Sequence, residues 1–333
     1  MTNIVKNEDY VYPICVIGGG AAGVMATLRC VLNNDETILF PGNKHHRRRS
    51  RAFWVSKVEN MPGYLHYSKG IDHPNRDTLN WLINSEFKEK FHYHKNLGAK
   101  SITKLKSGLF EIVDDNDVKY LSQYVILCTG VMDVQPKING TIKPILPFAN
   151  VQLADYCLRC DGHHVFQKDT SIIFDGNDGG AWVSIMLMER YNCPSMSLIS
   201  NGAKINISEK VMSLLNKHNV SIIDKEIIEV NGKAKDHHLE SFVFKDESVL
   251  KTDICFISLG MIVYNDLAKN LSASLDDRGF VITNEKGLTS VENFFVAGDL
   301  RAGIKKQIYT AWDSAVDSAD QINSMIRMSN RNY

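Results

Sequence analysis

Two cysteines separated by two residues, Cys157 and Cys160, are followed directly by the carboxylate of Asp161. Two intervening residues let the sulfurs close on each other when the first cysteine lies near the start of a helix. A thiolate released from such a pair attacks other disulfides. The spacing therefore predicts a redox-active dithiol.

The same spacing also suits a metal site. A structural zinc site needs a second such pair, whereas the remaining cysteines are scattered singly through apolar runs, at Cys15, Cys30, Cys128, Cys193 and Cys255. His163 and His164 follow the pair too closely to complete a conventional closed site with it. Redox chemistry is the favoured interpretation and no metal ligand is assigned; zinc binding and chemically inert cysteines are the alternatives.

Length, charge and cysteine spacing limit the classes of protein to which this chain can belong. The chain has 333 residues and 44% hydrophobic content, enough for two domains with buried cores. Its 38 basic and 38 acidic residues give a formal net charge of zero, which argues against nucleic acid as the main partner. No apolar run approaches membrane-spanning length, and seven irregularly spaced cysteines favour a reducing compartment. We expect a soluble, cytoplasmic protein without a membrane partner.

A glycine-rich turn follows the first predicted strand. The strand, Tyr12 to Ile17, leads into this turn, and Val24 to Leu32 is then predicted to be helical. Gly18 allows a tight turn, Gly20 lets the backbone approach a pyrophosphate, and Gly23 lets helix and strand pack closely. The pattern predicts a dinucleotide site with phosphate at the helix N-terminus.

The order of strand, turn and helix recurs later in the chain. Ser171 to Phe174 is predicted to be a strand, Asp175 to Gly180 a turn and Ala181 to Tyr191 a helix, which implies two nucleotide-binding folds. A further strand ends at Asp299, whose carboxylate can bond ribose or ribityl hydroxyls. Gln307 to Met328 is predicted to be a long amphipathic helix.

The densest basic run in the chain is His45 to Arg51. A solvated loop is its simplest interpretation. Contact with phosphate or with an acidic partner is the alternative.

Together these motifs resemble the low-molecular-weight thioredoxin reductases over nearly the whole chain. The matching elements are the glycine-rich turn, Asn60-Met61-Pro62-Gly63, Thr129-Gly130, the cysteine motif, and Gly298-Asp299 followed by Lys306-Gln307. The resemblance implies an α/β protein with two Rossmann-like, three-layer ββα nucleotide-binding domains, the second inserted in the first. The expected domains are an FAD-binding domain at 1–138 plus 262–333 and an inserted dithiol, pyridine-nucleotide-like domain at 139–261.

The resemblance also implies roles for individual residues. Cys160 would lie over the flavin, Cys157 would exchange with the substrate disulfide, and Asp161 would serve as acid and base. The implied FAD contacts are Gly18, Gly20, Ala21, Ala22, Gly23, Asn60, Thr129, Gly130, Gly298, Asp299, Lys306 and Gln307. A homodimer that acts on a thioredoxin-like protein or a small disulfide is implied as well.

Part of the chain looks closer to a divergent branch of these reductases, which includes oxidases of dithiol natural products. The elements that carry this likeness are the basic run, Gly63-Tyr64-Leu65 and Gly70-Ile71.

The second turn departs from the pattern of family members that use NADPH. Those members carry a second glycine fingerprint and, after the next strand, a His-Arg-Arg cluster that holds the adenosine phosphate. Here Asp175 and Asn177 occupy the first two glycine positions, and the later segment, 200–203, reads Ser-Asn-Gly-Ala. A carboxylate repels a pyrophosphate, and a Cβ obstructs its approach to the backbone. NADPH is therefore expected to be a poor or absent reductant.

The sequence hypothesis is an FAD-dependent thiol-disulfide oxidoreductase. Electrons would pass between the flavin, the cysteine pair and a protein or small-molecule disulfide. The donor would be an acidic electron-transfer protein such as ferredoxin, which meets the basic run, or a second flavin. The alternatives are an NADPH-dependent thioredoxin reductase with an atypical site involving Lys204, a dithiol oxidase that uses oxygen, and a flavin-binding protein without turnover.

Overall fold

A computed structural model of the chain describes residues 10–331. These residues form two compact units. Unit 1 comprises the chain up to Val55, residues Tyr67–Met132 and the chain from Val263 onward. Unit 2 comprises Ser56–His66 and Asp133–Ile262, so most of unit 2 is inserted in the sequence of unit 1.

The elements are named here in chain order. The strands are β1 (Val11–Ile17), β2 (Thr37–Phe40), β3 (Phe91–Tyr93), β4 (Ala99–Lys104), β5 (Phe110–Asp114), β6 (Lys119–Leu127), β7 (Val131–Asp133), β8 (Ala154–Asp155), β9 (Thr170–Phe174), β10 (Met196–Ile199), β11 (Ser221–Ile223), β12 (Ile227–Lys233), β13 (His238–Phe244), β14 (Val249–Lys251), β15 (Ile254–Ser258), β16 (Met261–Val263) and β17 (Phe294–Val296). The helices are α1 (Ala21–Leu32), α2 (Lys44–Arg48), α3 (Arg51–Trp54), α4 (Asp72–Asn84), α5 (Leu146–Ala149), α6 (Leu158–Asp161), α7 (Asp178–Tyr191), α8 (Glu209–Lys217), α9 (Asp266–Asn270) and α10 (Ile308–Asn330).

Unit 1 is built on a sheet in the order β3-β2-β1-β6-β5-β4, with β17 also paired to β6. Strand β1 lies parallel to β2 and β6, whereas β4, β5 and β6 are antiparallel neighbours. Side chains alternate along β1 because successive residues of a strand face opposite sides. Ile14 and Val16 pack in one buried cluster with residues of α1 and α10, and Cys15 and Ile17 pack with β4 and β5.

Unit 2 repeats this arrangement with a parallel sheet in the order β11-β10-β9-β15-β8 and an antiparallel sheet of β12, β13 and β14. Ile172 and Phe174 of β9 pack against α7, while Ile173 packs with Phe242 and Phe244 of β13. The prediction of two three-layer, Rossmann-like folds, one inserted in the other, is confirmed.

The basic run is helical, which differs from the predicted loop. Residues 45–48 belong to α2, and Arg51 begins α3. The side chain of Asn43 caps α2 and accepts hydrogen bonds from the backbone N–H groups of His45 and His46 at 2.8 and 3.0 Å. His46 completes a capping box. Within residues 10–331, no helix is both long and apolar enough to cross a membrane.

Helix α7, which contains the predicted helix Ala181 to Tyr191, packs closely on β9. A Cβ built on Gly180 would lie 2.4 Å from the Cβ of Phe174, whereas one built on the neighbouring Gly179 would meet no atom within 4 Å. We expect Gly180→Ala to lower the free energy of unfolding by about 1–3 kcal/mol through overpacking.

Gly179→Ala serves as the matched control and should change stability by no more than about 1 kcal/mol. Urea denaturation followed by far-UV circular dichroism measures both variants. Equal midpoints for the two would contradict the packing account.

Candidate functional site

The glycine-rich turn of unit 1 is shaped by two close backbone contacts. Gly18 has a φ of +118°, and a Cβ there would lie 2.3 Å from the carbonyl oxygen of Cys128. A Cβ on Gly23 would lie 1.8 Å from the carbonyl oxygen of Gly18. Only glycine is compatible with either position.

Gly20 differs because no described atom obstructs it. It is the N-cap of α1, no side chain caps that helix, and a Cβ built on it meets nothing within 4 Å. The N-terminal N–H groups of a helix bind anions, and the macrodipole favours negative charge there. The turn therefore has the shape and the donors that a dinucleotide pyrophosphate requires.

The other predicted residues of unit 1 lie at the carboxyl edge of the same sheet. Thr129 follows β6, and its hydroxyl donates to the carbonyl of Tyr264 at 2.7 Å. Gly298 follows β17, and a Cβ there would lie 2.7 Å from the Cβ of Ala22 in α1. The end of β17 thus reaches the start of α1, which is where open α/β sheets bind nucleotides.

Charged side chains complete this edge. Asp299 forms an ion pair with Arg51 at 3.3 Å, and both side chains are about one-fifth exposed, at 20% and 19%. Lys306 lies 4.0 Å from the ring centroid of Phe280, and its burial lowers its pKa to about 8, against the opposing attraction of Asp299. Arg51 was not among the predicted site residues, although it belongs to the basic run.

The cysteine motif lies in unit 2. Cys157 and Cys160 form a disulfide with a Cα–Cα distance of 5.2 Å. Cys157 is the N-cap of α6, and the backbone N–H of Cys160 donates to its sulfur at 3.2 Å. A hydrogen bond from a backbone N–H stabilises a thiolate, so we expect reduction of the disulfide to favour the thiolate at Cys157.

Two histidines that follow the motif, His163 and His164, belong to a hydrogen-bonded chain of carboxylates and imidazoles. His164 is bonded through Nδ1 to Asp155 at 2.8 Å and through Nε2 to Glu59 at 2.8 Å. The carboxylate of Glu59 also forms a hydrogen bond with Nε2 of His163 at 2.9 Å. Burial disfavours the charged imidazolium of His164, but the hydrogen bonds to Asp155 and Glu59 outweigh it and raise its pKa to about 9. The bond to His164 in turn lowers the pKa of Glu59.

Sequence reasoning missed Glu59 and Asp155 as partners of the histidines. Glu59 is 104 residues from His163 and 105 from His164, so no local spacing connects them. The only signal was the presence of two adjacent histidines directly behind the cysteine motif.

The second turn, in unit 2, has Asp175 where the first turn has Gly18, and Asn177 where the first turn has Gly20. Asp175 accepts hydrogen bonds from the backbone N–H of Asn177 at 3.1 Å and from its side chain at 3.2 Å. Asp178 accepts from the backbone N–H of Ser208 at 2.8 Å. One backbone donor of this turn, the N–H of Asn177, is thus already bonded to a protein carboxylate.

The end of β10 is also acidic. The hydroxyl of Ser200 donates to Asp224 at 2.7 Å, and a Cβ on Gly202 would lie 3.0 Å from the side chain of Glu226. No arginine occurs between Pro194 and Leu215. Arginine is the usual partner of the extra phosphate of NADPH because its planar fork matches phosphate oxygens.

The predicted site residues divide between the two units. Unit 2 contains Asn60, Cys157, Cys160 and Asp161. Unit 1 contains Gly18, Gly20, Ala21, Ala22, Gly23, Thr129, Gly130, Gly298, Asp299, Lys306 and Gln307.

Comparison with known proteins identifies the family. Residues 12–319 match the family model described as pyridine nucleotide-disulphide oxidoreductase. The chain belongs to this family. It is a flavin disulfide oxidoreductase of the thioredoxin-reductase-like type, and its Cys157–Cys160 disulfide is the redox pair.

Individual relatives match this chain over most of the length of both proteins. The chain is 25% identical to the thioredoxin reductase of Bacillus subtilis (strain 168), covering 96% of each chain, and 26% identical to that of Borreliella burgdorferi, covering 92% of this chain and 89% of the relative. The crystal structure of thioredoxin reductase from Streptococcus pyogenes superposes with a TM-score of 0.80 at 19% identity, covering 96% and 99% of the two chains. The structure of the Giardia duodenalis thioredoxin reductase gives 0.77 at 20% identity, with 95% and 98% covered.

The hydrogen bond between the two cysteines predicts which thiol reacts first. In reduced protein treated briefly with iodoacetamide, we expect Cys157 to be alkylated several-fold faster than Cys160, because the N–H of Cys160 stabilises the Cys157 thiolate. Peptide mass spectrometry after short reaction times measures the ratio.

The remaining cysteines provide internal controls for this alkylation. Each is buried, and burial raises the pKa of the thiols of Cys15 and Cys30, so these should stay unmodified in folded protein. Faster alkylation of Cys160 would reverse the assignment of the two thiols.

Proposed function

We propose that the protein binds FAD in a domain formed by residues 1–138 and 262–333, and that an inserted domain, 139–261, carries the dithiol. We propose further that it exchanges electrons with the disulfide of a thioredoxin-like protein or a small molecule, and that its donor is not NADPH. The observation that carries the proposal is the contrast between the two turns: a Cβ on Gly20 would meet no atom within 4 Å, whereas the second turn has Asn177 at that position, and its backbone N–H donates to Asp175.

The residues of unit 1 fit FAD. Gly18, Gly20 and Gly23 would receive the pyrophosphate at the start of α1, with Ala21 and Ala22 beside it. Asp299 is suited to bond hydroxyls of the ribityl chain. The further FAD contacts that we propose are Asn60, Thr129, Gly130, Gly298, Lys306 and Gln307. When bound, FAD supplies a carrier that accepts electrons singly or in pairs.

The cysteines carry out the exchange with the substrate. In the direction of disulfide reduction, the Cys157 thiolate attacks one substrate sulfur, breaks the substrate disulfide and forms a mixed disulfide. The Cys160 thiolate then attacks the sulfur of Cys157 and releases the second substrate thiol. The pair is oxidised by two electrons and the substrate is reduced by two; Asp161 takes and returns the proton of the thiol.

Electrostatics disfavour NADPH in unit 2. Its pyrophosphate would meet the Asp175 carboxylate, and its 2′-phosphate would approach the end of β10 near Asp224 and Glu226. Like charges at short range raise the free energy of binding, and the arginines that usually offset this are missing from 194–215.

A basic surface supports an acidic protein as the donor. Arg47, Arg48 and Arg49 on and beside α2 are exposed, and Phe53 and Trp54 on α3 are 50% and 36% exposed. Complementary charge speeds encounter between partners, and aromatic side chains are enriched at protein interfaces. A ferredoxin-type protein matches this chemistry and would deliver its electrons one at a time.

Compartment and assembly follow the same family pattern. We propose a cytoplasmic homodimer. The five cysteines outside the redox pair are free thiols, which suits a reducing compartment.

Gly20→Val tests the proposed FAD site. A branched side chain at the open position would fill the space that the pyrophosphate needs, so we expect FAD occupancy of purified protein to fall at least tenfold. The flavin absorbance per protein chain measures this.

Gly179→Val is the matched control for this substitution, because its built Cβ also meets nothing within 4 Å but lies in α7. This variant should keep its flavin. Full occupancy in Gly20→Val would refute the proposed FAD site.

Charge reversal tests the proposed donor surface. With a reduced ferredoxin as donor, we expect Arg48→Glu to slow flavin reduction several-fold at low salt and to weaken its dependence on ionic strength, since steering is screened by salt. Stopped-flow absorbance measures the rate.

Lys217→Glu makes the same charge change at an exposed position of α8 in unit 2 and should leave the rate unchanged. If both variants behave alike, the basic segment is not the docking surface.

A further inference from the structure

Three atoms of metal-ligand type converge in unit 2. The Nε2 atoms of His163 and His164 lie 2.9 and 2.8 Å from the same carboxylate oxygen of Glu59. All three atoms lie within 4.8 Å of one another. The two imidazole rings are neighbours, with centroids 4.4 Å apart. The chain thus presents two nitrogens and one oxygen toward a common point.

A second, independent feature lies behind this group. Asp155 is buried, with 5% of its side chain exposed, and its carboxylate bonds Nδ1 of His164 at 2.8 Å. Histidines that bind metals almost always donate the other ring N–H to a carboxylate or carbonyl, which fixes the ring and aims the remaining nitrogen at the ion. Asp155 holds His164 in this orientation, with Nε2 directed at Glu59.

We propose that Glu59, His163 and His164 bind one divalent transition-metal cation of the zinc class. Two imidazoles and a carboxylate suit zinc and its first-row neighbours, whereas magnesium and calcium require oxygen ligands. Three protein ligands leave a fourth position for water. His163 has 51% of its side chain exposed, so an ion can reach this ligand from solvent.

The geometry needs only a small adjustment. Bonds of about 2.0–2.2 Å in a tetrahedral site place ligand atoms about 3.3–3.6 Å apart, so the Glu59 oxygen and the imidazole nitrogens, now 2.8–2.9 Å apart, must separate by about 0.4–0.8 Å. His163 is exposed and can make this movement, while Asp155 keeps His164 in place. Binding displaces the hydrogen-bonding proton between Glu59 and His164, so affinity should improve with rising pH.

This site differs from a cysteine zinc site. In the oxidised protein Cys157 and Cys160 are joined to each other, and the remaining cysteines are buried. The proposed site therefore contains no thiolate ligand. Glu59 supplies the third ligand beside His163 and His164.

Zinc binding by the oxidised, flavin-loaded and untagged protein tests the proposal. Isothermal titration with Zn²⁺ at pH 8 should show one ion per chain. His163→Gln and Glu59→Gln should each weaken binding at least tenfold, and Asp155→Asn should weaken it about 10–100-fold by releasing the orientation of His164. A large excess of Mg²⁺ should not compete.

His45→Gln is the matched control, because His45 and His46 are also adjacent histidines and His45 is exposed. It should bind zinc as the unaltered protein does. His163→Gln removes an exposed side chain, so it remains decisive if Glu59→Gln fails to fold. Zinc binding that survives His163→Gln unchanged, or the absence of binding at 100-fold molar excess, would overturn the proposal.

Discussion

Both units depend on a helix packed on a parallel strand so closely that a single Cβ cannot be accommodated. In unit 1 the contact joins Gly23 to the carbonyl of Gly18, and in unit 2 it joins Gly180 to Phe174. This approach aims the N-terminus of each helix at the carboxyl edge of its sheet, where backbone donors and the macrodipole favour an anion. This packing of helix on strand fixes where a nucleotide can bind, and the residues of the turn determine whether a nucleotide binds there.

The two turns differ in how their backbone N–H groups are paired. The first turn leaves Gly20 open, while in the second a carboxylate of the chain itself, Asp175, takes the backbone donor of Asn177. The same close packing is retained at Gly180, so the second helix keeps its structural role. Carboxylates at the end of β10 extend the negative charge, whereas the densest basic run of the chain lies on α2 and its flanks in unit 1.

Local pattern predicted the two strand, turn and helix units, because strand periodicity and glycine spacing are short-range signals. The insertion of the second fold in the first was implied by the family resemblance. The limits of elements were less predictable: α7 begins at Asp178 rather than Ala181, and Gly180 packs on Phe174 of β9 within the helix despite its low propensity. The contacts of Arg51 with Asp299 and of Glu59 with His164 span 248 and 105 residues. Such contacts arise from the tertiary fold, and no spacing in a single sequence reveals them.

The central claim is that the second turn has lost its nucleotide, and one anaerobic experiment tests it most directly. Oxidised, FAD-loaded protein is mixed in a stopped-flow instrument with NADPH, NADH or a reduced ferredoxin, and the flavin absorbance is followed. The carboxylates around the second turn predict that both pyridine nucleotides leave the flavin oxidised on the timescale of turnover. The exposed arginines on and beside α2 predict that ferredoxin reduces it. Rapid bleaching by micromolar NADPH would contradict the account.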